Sequence, residues 1–329
     1  MCSSDLALAT LEGVAEQVLG PACGAKSQGH ARVSVLMMRP LRSLLIMPAN
    51  RADMLAKSPT YGADALVFDL EDSVPIAEKP KARVLAREYI EKHRAQHALY
   101  VRVNSLATGM TSLDLDAIVT EGLLGIRLTK AESAEDIRVV DGMLTELETQ
   151  RGLPVGTIGI GPSLESARGV WFAYEILSAS PRIFSVTAGT AQDGDLQSEL
   201  QYLWSAEGNE VLYVRSRILL AARAAGVQHI LDGSYANIKD PEGLRRCCEA
   251  TRKLGYNGRS IIHPNQVEIV NRAYTPSKQE LDYYRRVLEA FDAAVARGSA
   301  ATTVDGKLVD YAMATTAKRV LAWGEGLVK

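Results

Sequence analysis

Residues 65–72 read ALVFDLED: an apolar run closing on Asp69, Glu71 and Asp72. A short run of this kind, rich in branched side chains, reads as a strand buried on both faces, the habit of parallel sheets. The pattern recurs along the chain. LYVRVN (99–104) places Arg102 just past Val101, and LLGIRLTK (123–130) delivers Lys130. TIGIGPSLES (157–166) delivers Glu165, and SVTAGTAQDGDL (185–196) delivers Asp193 and Asp195. HILDG (229–233) and SIIHP (260–264) end in Asp232 and His263. Polar groups repeatedly placed at the C-terminal ends of buried strands are where a (β/α)8 barrel builds its active site.

With SLLIMP (43–48) the strands number eight, predicted at 43–48, 65–70, 99–104, 124–128, 157–161, 184–189, 229–233 and 260–264. Between them, EKPKARVLAREYIEKH and AEDIRVVDGMLTELETQRG carry apolar residues at helical three-and-four spacing. Alternating strands and helices imply a parallel sheet with outer helices, and eight strands favour a closed barrel. No GxGxxG or GxxxxGK[ST] follows any strand, which weighs against a nucleotide-binding open sheet. After the eighth strand the rhythm changes. TPSKQELDYYRRVLEAFDAAVARG (275–298) is a long helix with Ser277 and Glu280 at capping-box spacing. Asp305-Gly306 then marks a turn between short extended pieces, and AMATTAKRVLAW is a final helix. The predicted organisation is a TIM barrel over 39–272 and a C-terminal helical lid or arm over 273–329. Residues 1–38 form an extension, with ALATLEGVAEQVLG as an amphipathic helix before a linker.

The chain of 329 residues has room for one barrel of about 250 residues. Its net charge of −2 and the lack of any basic run argue against capture of nucleic acid or an anionic membrane. No apolar stretch approaches the roughly 20 residues of a spanning helix. Cys2, Cys23, Cys247 and Cys248 show no metal-ligand spacing and read as reduced thiols of a cytoplasmic protein. The extension lacks a charged segment followed by a continuous apolar one, so it does not read as a secretory signal.

Glu165 and Asp195, or Asp193, follow consecutive strands. Two carboxylates with open positions suit Mg²⁺, which keeps waters and accepts substrate oxygens; the competing reading is solvated loop acids or helix caps. Arg102 could clamp a carboxylate or polarise a carbonyl, or pair with Glu71 or Asp72 at the barrel mouth, and both can hold. Lys130 and Glu132 read equally as a structural pair or as site residues. His263 reads as a turn-fixing donor to a backbone carbonyl rather than a base, and Asp232 as a supporting residue or a helix N-cap.

Taken together, these pieces resemble the citrate lyase β-subunit family, including malyl-CoA and citramalyl-CoA lyases of the HpcH/HpaI aldolase superfamily. The resemblance covers about residues 39–329. It rests on RSLLIMPANRADMLAKS, GADALVFDLEDSVP with EKPKAR, VRVN, ESARGVWFAYEILSASPR, LYVRSRILLAARAAGVQ, LGYNGRSIIHPNQ and DGKLVDYAMATTAKRVL. It implies a TIM barrel with a C-terminal lid, a divalent metal (Mg²⁺, with Mn²⁺ as alternative), a CoA thioester substrate and homotrimers or hexamers exchanging lids. The family's metal-ligating glutamate falls on Glu165. Its metal aspartate falls on Asp195, with Asp193 as the alternative, because GTAQDGDL is longer by about three residues. The substrate arginine falls on Arg102, the acidic pair on Glu71 and Asp72, and the lid aspartate on Asp310. Gly194 stands where a glutamate usually precedes the metal aspartate, Tyr311 where a proline often follows the lid aspartate, and Thr129 where proline is common.

The activity so implied is reversible carbon–carbon cleavage of a 3-hydroxyacyl-CoA such as malyl-, citramalyl- or citryl-CoA into acetyl-CoA and a 2-oxo acid. Arg102 would stabilise the enolate and Asp310 would protonate it. The alternatives are a metal-dependent aldolase on free hydroxy-keto acids, or a carrier-dependent subunit without independent turnover.

Overall fold

The structure, a computed structural model, describes residues 40–94, 96–205 and 207–327. The extension expected over 1–38, with Cys2 and Cys23, lies outside the described residues.

Eight strands form a closed, all-parallel barrel in sequence order: β1 (Ser43–Pro48), β2 (Ala65–Asp69), β3 (Leu99–Val103), β4 (Gly125–Leu128), β5 (Gly159–Leu164), β6 (Ser185–Ala188), β7 (His229–Asp232) and β8 (Gly258–Ile261). Closure is made by β8 on β1, with Arg259 opposite Ser43 and Ile261 opposite Leu45. The helices between strands are α1 (Ala52–Lys57), α2 (Lys79–His93), α3 (Thr111–Ile118), α4 (Ala134–Gln150), α5 (Ala167–Trp171), α6 (Ala173–Leu177), α7 (Asp195–Leu200), α8 (Leu212–Ala224) and α9 (Pro241–Leu254). After β8 comes α10 (Val267–Tyr274).

Alternation along each strand sorts the core into two layers. Leu45, Phe68, Val101, Ile126, Ile160, Val186, Ile230 and Ile261 face outward beneath the helices. Leu44, Ala65, Val67, Tyr100, Phe184 and Leu231 fill the interior towards the N-terminal end. Higher in the barrel the interior turns polar, with Asp69, Arg127, Ser185 and Thr187 all buried. This change of character marks the C-terminal mouth as the working end.

The fifth strand begins and ends later than 157–161. Buried Glu148 accepts the N–H groups of Gly156 and Ile158, each at 2.8 Å, so this stretch is a pinned loop. The strand instead runs on through Pro162, opposite Leu128. Glu165 therefore follows β5 directly. The eighth strand is shifted the other way, starting at Gly258 and ending two residues before His263.

The chain continues into an arm. Ser277 caps α11 (Lys278–Ala296) in a full capping box with Glu280, as the spacing predicted. The hairpin β9 (Thr302–Val304) and β10 (Lys307–Val309) turns at Asp305-Gly306 and leads into α12 (Tyr311–Gly326). Val287, Phe291, Val304, Val309, Ala314 and Ala317 give the arm a core of its own. Its far end returns to the N-terminal face of the barrel. There Trp323 Nε1 donates to Tyr274 O at 3.2 Å and its ring approaches that of His229, the first residue of β7.

Candidate active site at the barrel mouth

The acids of β2 and the arginine of β3 are joined by register, Asp69 standing opposite Arg102. Arg102 Nε and Nη2 donate to Asp69 Oδ1 and Oδ2 at 2.6 and 2.7 Å, a bidentate fork that fixes the guanidinium plane. Nη1 lies 2.9 Å from Glu71 Oε2 and 3.7 Å from Asp72 Oδ2. The ion pair with Glu71 and Asp72 thus exists, but Asp69 is the stronger partner. Burial opposes charge on Asp69, yet Arg102, Ser73 and the Glu71 N–H together hold it below the usual carboxylate range. Glu71 behaves oppositely. Burial pushes it up to about 8, with repulsion from Asp72 and Glu165 adding to the rise against the pull of Arg102.

Lys79 explains why this acidic loop holds its shape. Its buried ammonium donates to Leu70 O, Glu71 O and Asn104 Oδ1 at 2.6, 2.8 and 2.9 Å. Asn104 is itself held by Asp114, whose Oδ2 accepts from its backbone and side-chain nitrogens at 2.8 and 2.7 Å. EKPKAR and VRVN are thereby one unit, knotted beneath the mouth.

Lys130 links β4 to the next two strands. Its backbone lies in the left-handed region, φ 51°, and its N–H donates to Glu165 Oε1 at 2.8 Å. Its Nζ lies 3.2 Å from Asp195 Oδ2. In place of the expected pairing with Glu132, the Lys130 ammonium reaches across to Asp195. Burial raises Glu165 above the usual carboxylate range, while the Lys130 N–H and Arg102 pull the other way. Gly189 makes room for it: a Cβ there would overlap the Glu165 backbone and come within 2.9 Å of Leu164 O.

Asp195 is the first residue of α7, and its side chain is half exposed. Asp193, at φ 57°, is exposed and donates its N–H to Gln197 Oε1 at 2.7 Å. Only Asp195 of the two is tied to Lys130. The start of this loop is anchored from behind: Thr190 Oγ1 donates to Asp232 Oδ1 at 2.6 Å. Asp232 is fully buried and also pairs with Arg215 and Arg259. It is a support for the loop; the N-cap of α9 is Asp240. His263 is also structural, but by accepting the Asn265 N–H at its Nδ1, 3.2 Å away, rather than by donating to a carbonyl.

Asp310 is engaged within the arm. Its Oδ1 caps α12, accepting from Ala312 and Met313 N–H at 2.9 and 3.1 Å.

Among the described residues no group of three or more His, Cys, Asp or Glu side chains is set to enclose a metal ion. What converges is a pair of hard oxygen donors, Glu165 with one oxygen on the Lys130 N–H, and Asp195. A pair with the remaining positions left to water and substrate fits Mg²⁺, which seldom takes an all-protein cage. A recess of about 200 Å³, lined by Ser105, Leu106, Thr129 and Lys130 among others, opens beside it.

A parallel eight-stranded barrel with paired acids and a buried arginine at its C-terminal mouth defines a (β/α)8 enzyme. The HpcH/HpaI aldolase/citrate lyase family model matches residues 42–264, and the chain belongs to that family, a family of lyases. It is 35% identical over 281 residues to citrate lyase subunit beta of Leuconostoc mesenteroides, covering 85% of this chain and 92% of the relative. It is 34% identical to the (3S)-malyl-CoA thioesterase of Cereibacter sphaeroides, covering 88% and 96%. In structure it resembles the CitE protein of Mycobacterium tuberculosis in complex with magnesium, acetoacetate and coenzyme A. There the TM-score is 0.69 at 30% identity, covering 88% of this chain and 99% of that one.

Proposed function

We propose that this chain is a Mg²⁺-dependent carbon–carbon lyase that cleaves, or in reverse forms, a 3-hydroxyacyl-CoA, giving acetyl-CoA and a 2-oxo acid. The observation that carries the reading is the convergence at one mouth of two contact sets, Arg102 with Glu71 and Lys130 with Glu165 and Asp195, whose charges act on one another. The magnesium and coenzyme A named for the mycobacterial structure support it.

In this reading Glu165 and Asp195 hold the ion, with Asp193 as a reserve donor on the same loop. Bound there, Mg²⁺ supplies a Lewis acid for the oxygen that becomes the keto group. Lys130, at present shared with Asp195, is free to turn to a substrate carboxylate. Glu71, with an affinity for protons near the working pH, is suited to accept the hydroxyl proton, and Asp72 shares its charge. Bond cleavage leaves a thioester enolate. Arg102, its plane already fixed by Asp69, meets the enolate oxygen without reorganising, where a preorganised donor is worth most. Asp310 protonates the enolate carbon. Asp310, whose own-chain bonds are those that cap α12, is delivered in this reading to the mouth of a neighbouring subunit in a homo-oligomer.

The name of the Cereibacter relative supports a second reading, hydrolysis of the thioester bond at the same mouth. Incubating the purified chain with malyl-, citramalyl- and citryl-CoA, with Mg²⁺ and then with EDTA, tests both. Metal-dependent acetyl-CoA release supports the lyase and names the acyl group. Silence on all three thioesters favours the free-acid aldolase or the carrier-dependent subunit.

A further inference from the structure

Arg127 stands inside the barrel, and no step above uses it. It is 3% exposed, on β4, at a position that barrels ordinarily fill with a branched apolar side chain. Its register partners are Arg102 on β3 and Gly161 on β5. Gly161 leaves the space it occupies: any Cβ there would overlap Nη1. Nη1 donates to Ser185 Oγ at 2.5 Å and Nη2 donates to Thr187 Oγ1.

Both acceptors are neutral, and that sets Arg127 apart. Among the described residues the other deeply buried arginines all have carboxylates: Arg182 has Asp141 and Glu148, and Arg215 and Arg259 share Asp232. Arg102 has Asp69 and Glu71. A guanidinium taken from water without a counter-charge is costly, so its charge must be answered from further off. The answer lies above it. Thr187 pairs with Ser163, and Glu165 is the next inward residue of that chain segment, about 7 Å higher by strand rise. Burial lowers Arg127 to about 10, which leaves it a cation at neutral pH, with Tyr100 and then Glu165 pulling the other way.

We propose that Arg127 is a positioning residue of the mouth, a fixed positive charge beneath Glu165 that moderates the grip of the acidic cluster on a divalent cation and supports negative charge developing on bound substrate. The second half rests on the lyase reading; the first half does not. The two halves predict opposite signs for one substitution, which a packing defect does not mimic.

The test compares the full-length protein with Arg127→Met, Arg127→Gln and Arg127→Lys. Mg²⁺ is titrated calorimetrically without substrate, and kcat and KM are measured on the cleaved thioester. The neutral variants should bind Mg²⁺ roughly tenfold more tightly, as for a charge several ångströms away in a partly screened site. Their kcat should fall about tenfold or more with KM little changed, and Lys should restore both. If Met fails to fold, the Gln and Lys pair gives the same contrast. Mg²⁺ affinity that is unchanged or weaker in the neutral variants, while wild type binds the ion, overturns the inference and leaves the lyase reading standing. Wild type that neither binds Mg²⁺ nor cleaves a thioester overturns both. Tighter Mg²⁺ binding with unchanged kcat overturns the substrate half.

Discussion

Lys130 and Glu165 are joined through the backbone of one and the side chain of the other, N–H to Oε1 at 2.8 Å, across the mouth from β4 to β5. The donor needs no particular side chain, and a glutamine oxygen could accept from it equally well. Glu165→Gln should therefore keep the fold while losing the anionic metal donor. We expect Mg²⁺ affinity to drop by at least about 100-fold, with the melting temperature in EDTA moved little, because relief of the desolvated acid is offset by the counter-charge taken from Arg127. Calorimetry and thermal melts on the same samples check this.

Asp69 offers the contrasting case, since its charge is answered in full. Asp69→Ala strands a mostly buried Arg102, and breaking such a pair costs about 3–5 kcal/mol. Asp69→Asn keeps the shape but loses one fork of the bidentate pair, so the arginine loses its fixed plane. A fall of about 100-fold in kcat/KM, with Mg²⁺ binding retained, is the expected outcome.

Glu71 gives a pH signature. Its proton is held up to about pH 8 in the folded protein, whereas the ordinary value is 4.5. Folding therefore takes up a proton between those values. The stability contributed is complete below about pH 4.5 and is lost as pH rises to about 8. Glu71→Gln cannot lose that proton. Its melting temperature in EDTA, relative to wild type, should gain steadily from pH 4.5 to 8 and level off above. A difference that does not vary with pH would show the pocket does not hold the proton.

Gly189 is needed for space. Gly189→Ala drives a methyl into the Glu165 backbone and Leu164 O, neither of which can rotate away. A loss of about 1–3 kcal/mol and weaker Mg²⁺ binding should follow. Gly142, on helix α4, has nothing within 4 Å of its missing Cβ. Gly142→Ala should instead stabilise by up to about 1 kcal/mol.

The arm makes a prediction about assembly. If Asp310 serves a neighbouring mouth, Arg102→Ala and Asp310→Asn proteins should each be inactive alone. Mixing under conditions of subunit exchange should restore a fraction of wild-type activity, because some sites then hold Arg102 from one chain and Asp310 from the other. No recovery from mixed oligomers, verified by mass, would place the lid aspartate elsewhere.

The barrel was legible because its strands are short apolar runs ending in charge, and the arm because Ser277, Glu280 and Asp305-Gly306 carry local cap and turn chemistry. Glu165, just past β5, and Arg102, next to the end of β3, stand out in the sequence for the same reason, whereas Asp195 lies seven residues beyond β6 and opens α7. What escaped reading depends on register. Asp69 as the main partner of Arg102 needs the β2–β3 alignment, and Lys79 acts through residues up to 25 positions away. Arg127 lies within a strand run that looks ordinary, and only Gly161 opposite it shows that the barrel accommodates a guanidinium. Lys130 and Glu132 are neighbours in sequence, but the partner the fold supplies to Lys130 is Asp195, 65 positions on.

Product identity is the most direct measurement of the central claim. The purified chain with Mg²⁺ should convert its hydroxyacyl-CoA into acetyl-CoA and 2-oxo acid in equal amounts, with both lost in EDTA and in Glu165→Gln. Free CoA and the intact hydroxy acid, formed with no 2-oxo acid, would contradict it and make this mouth a thioester hydrolase.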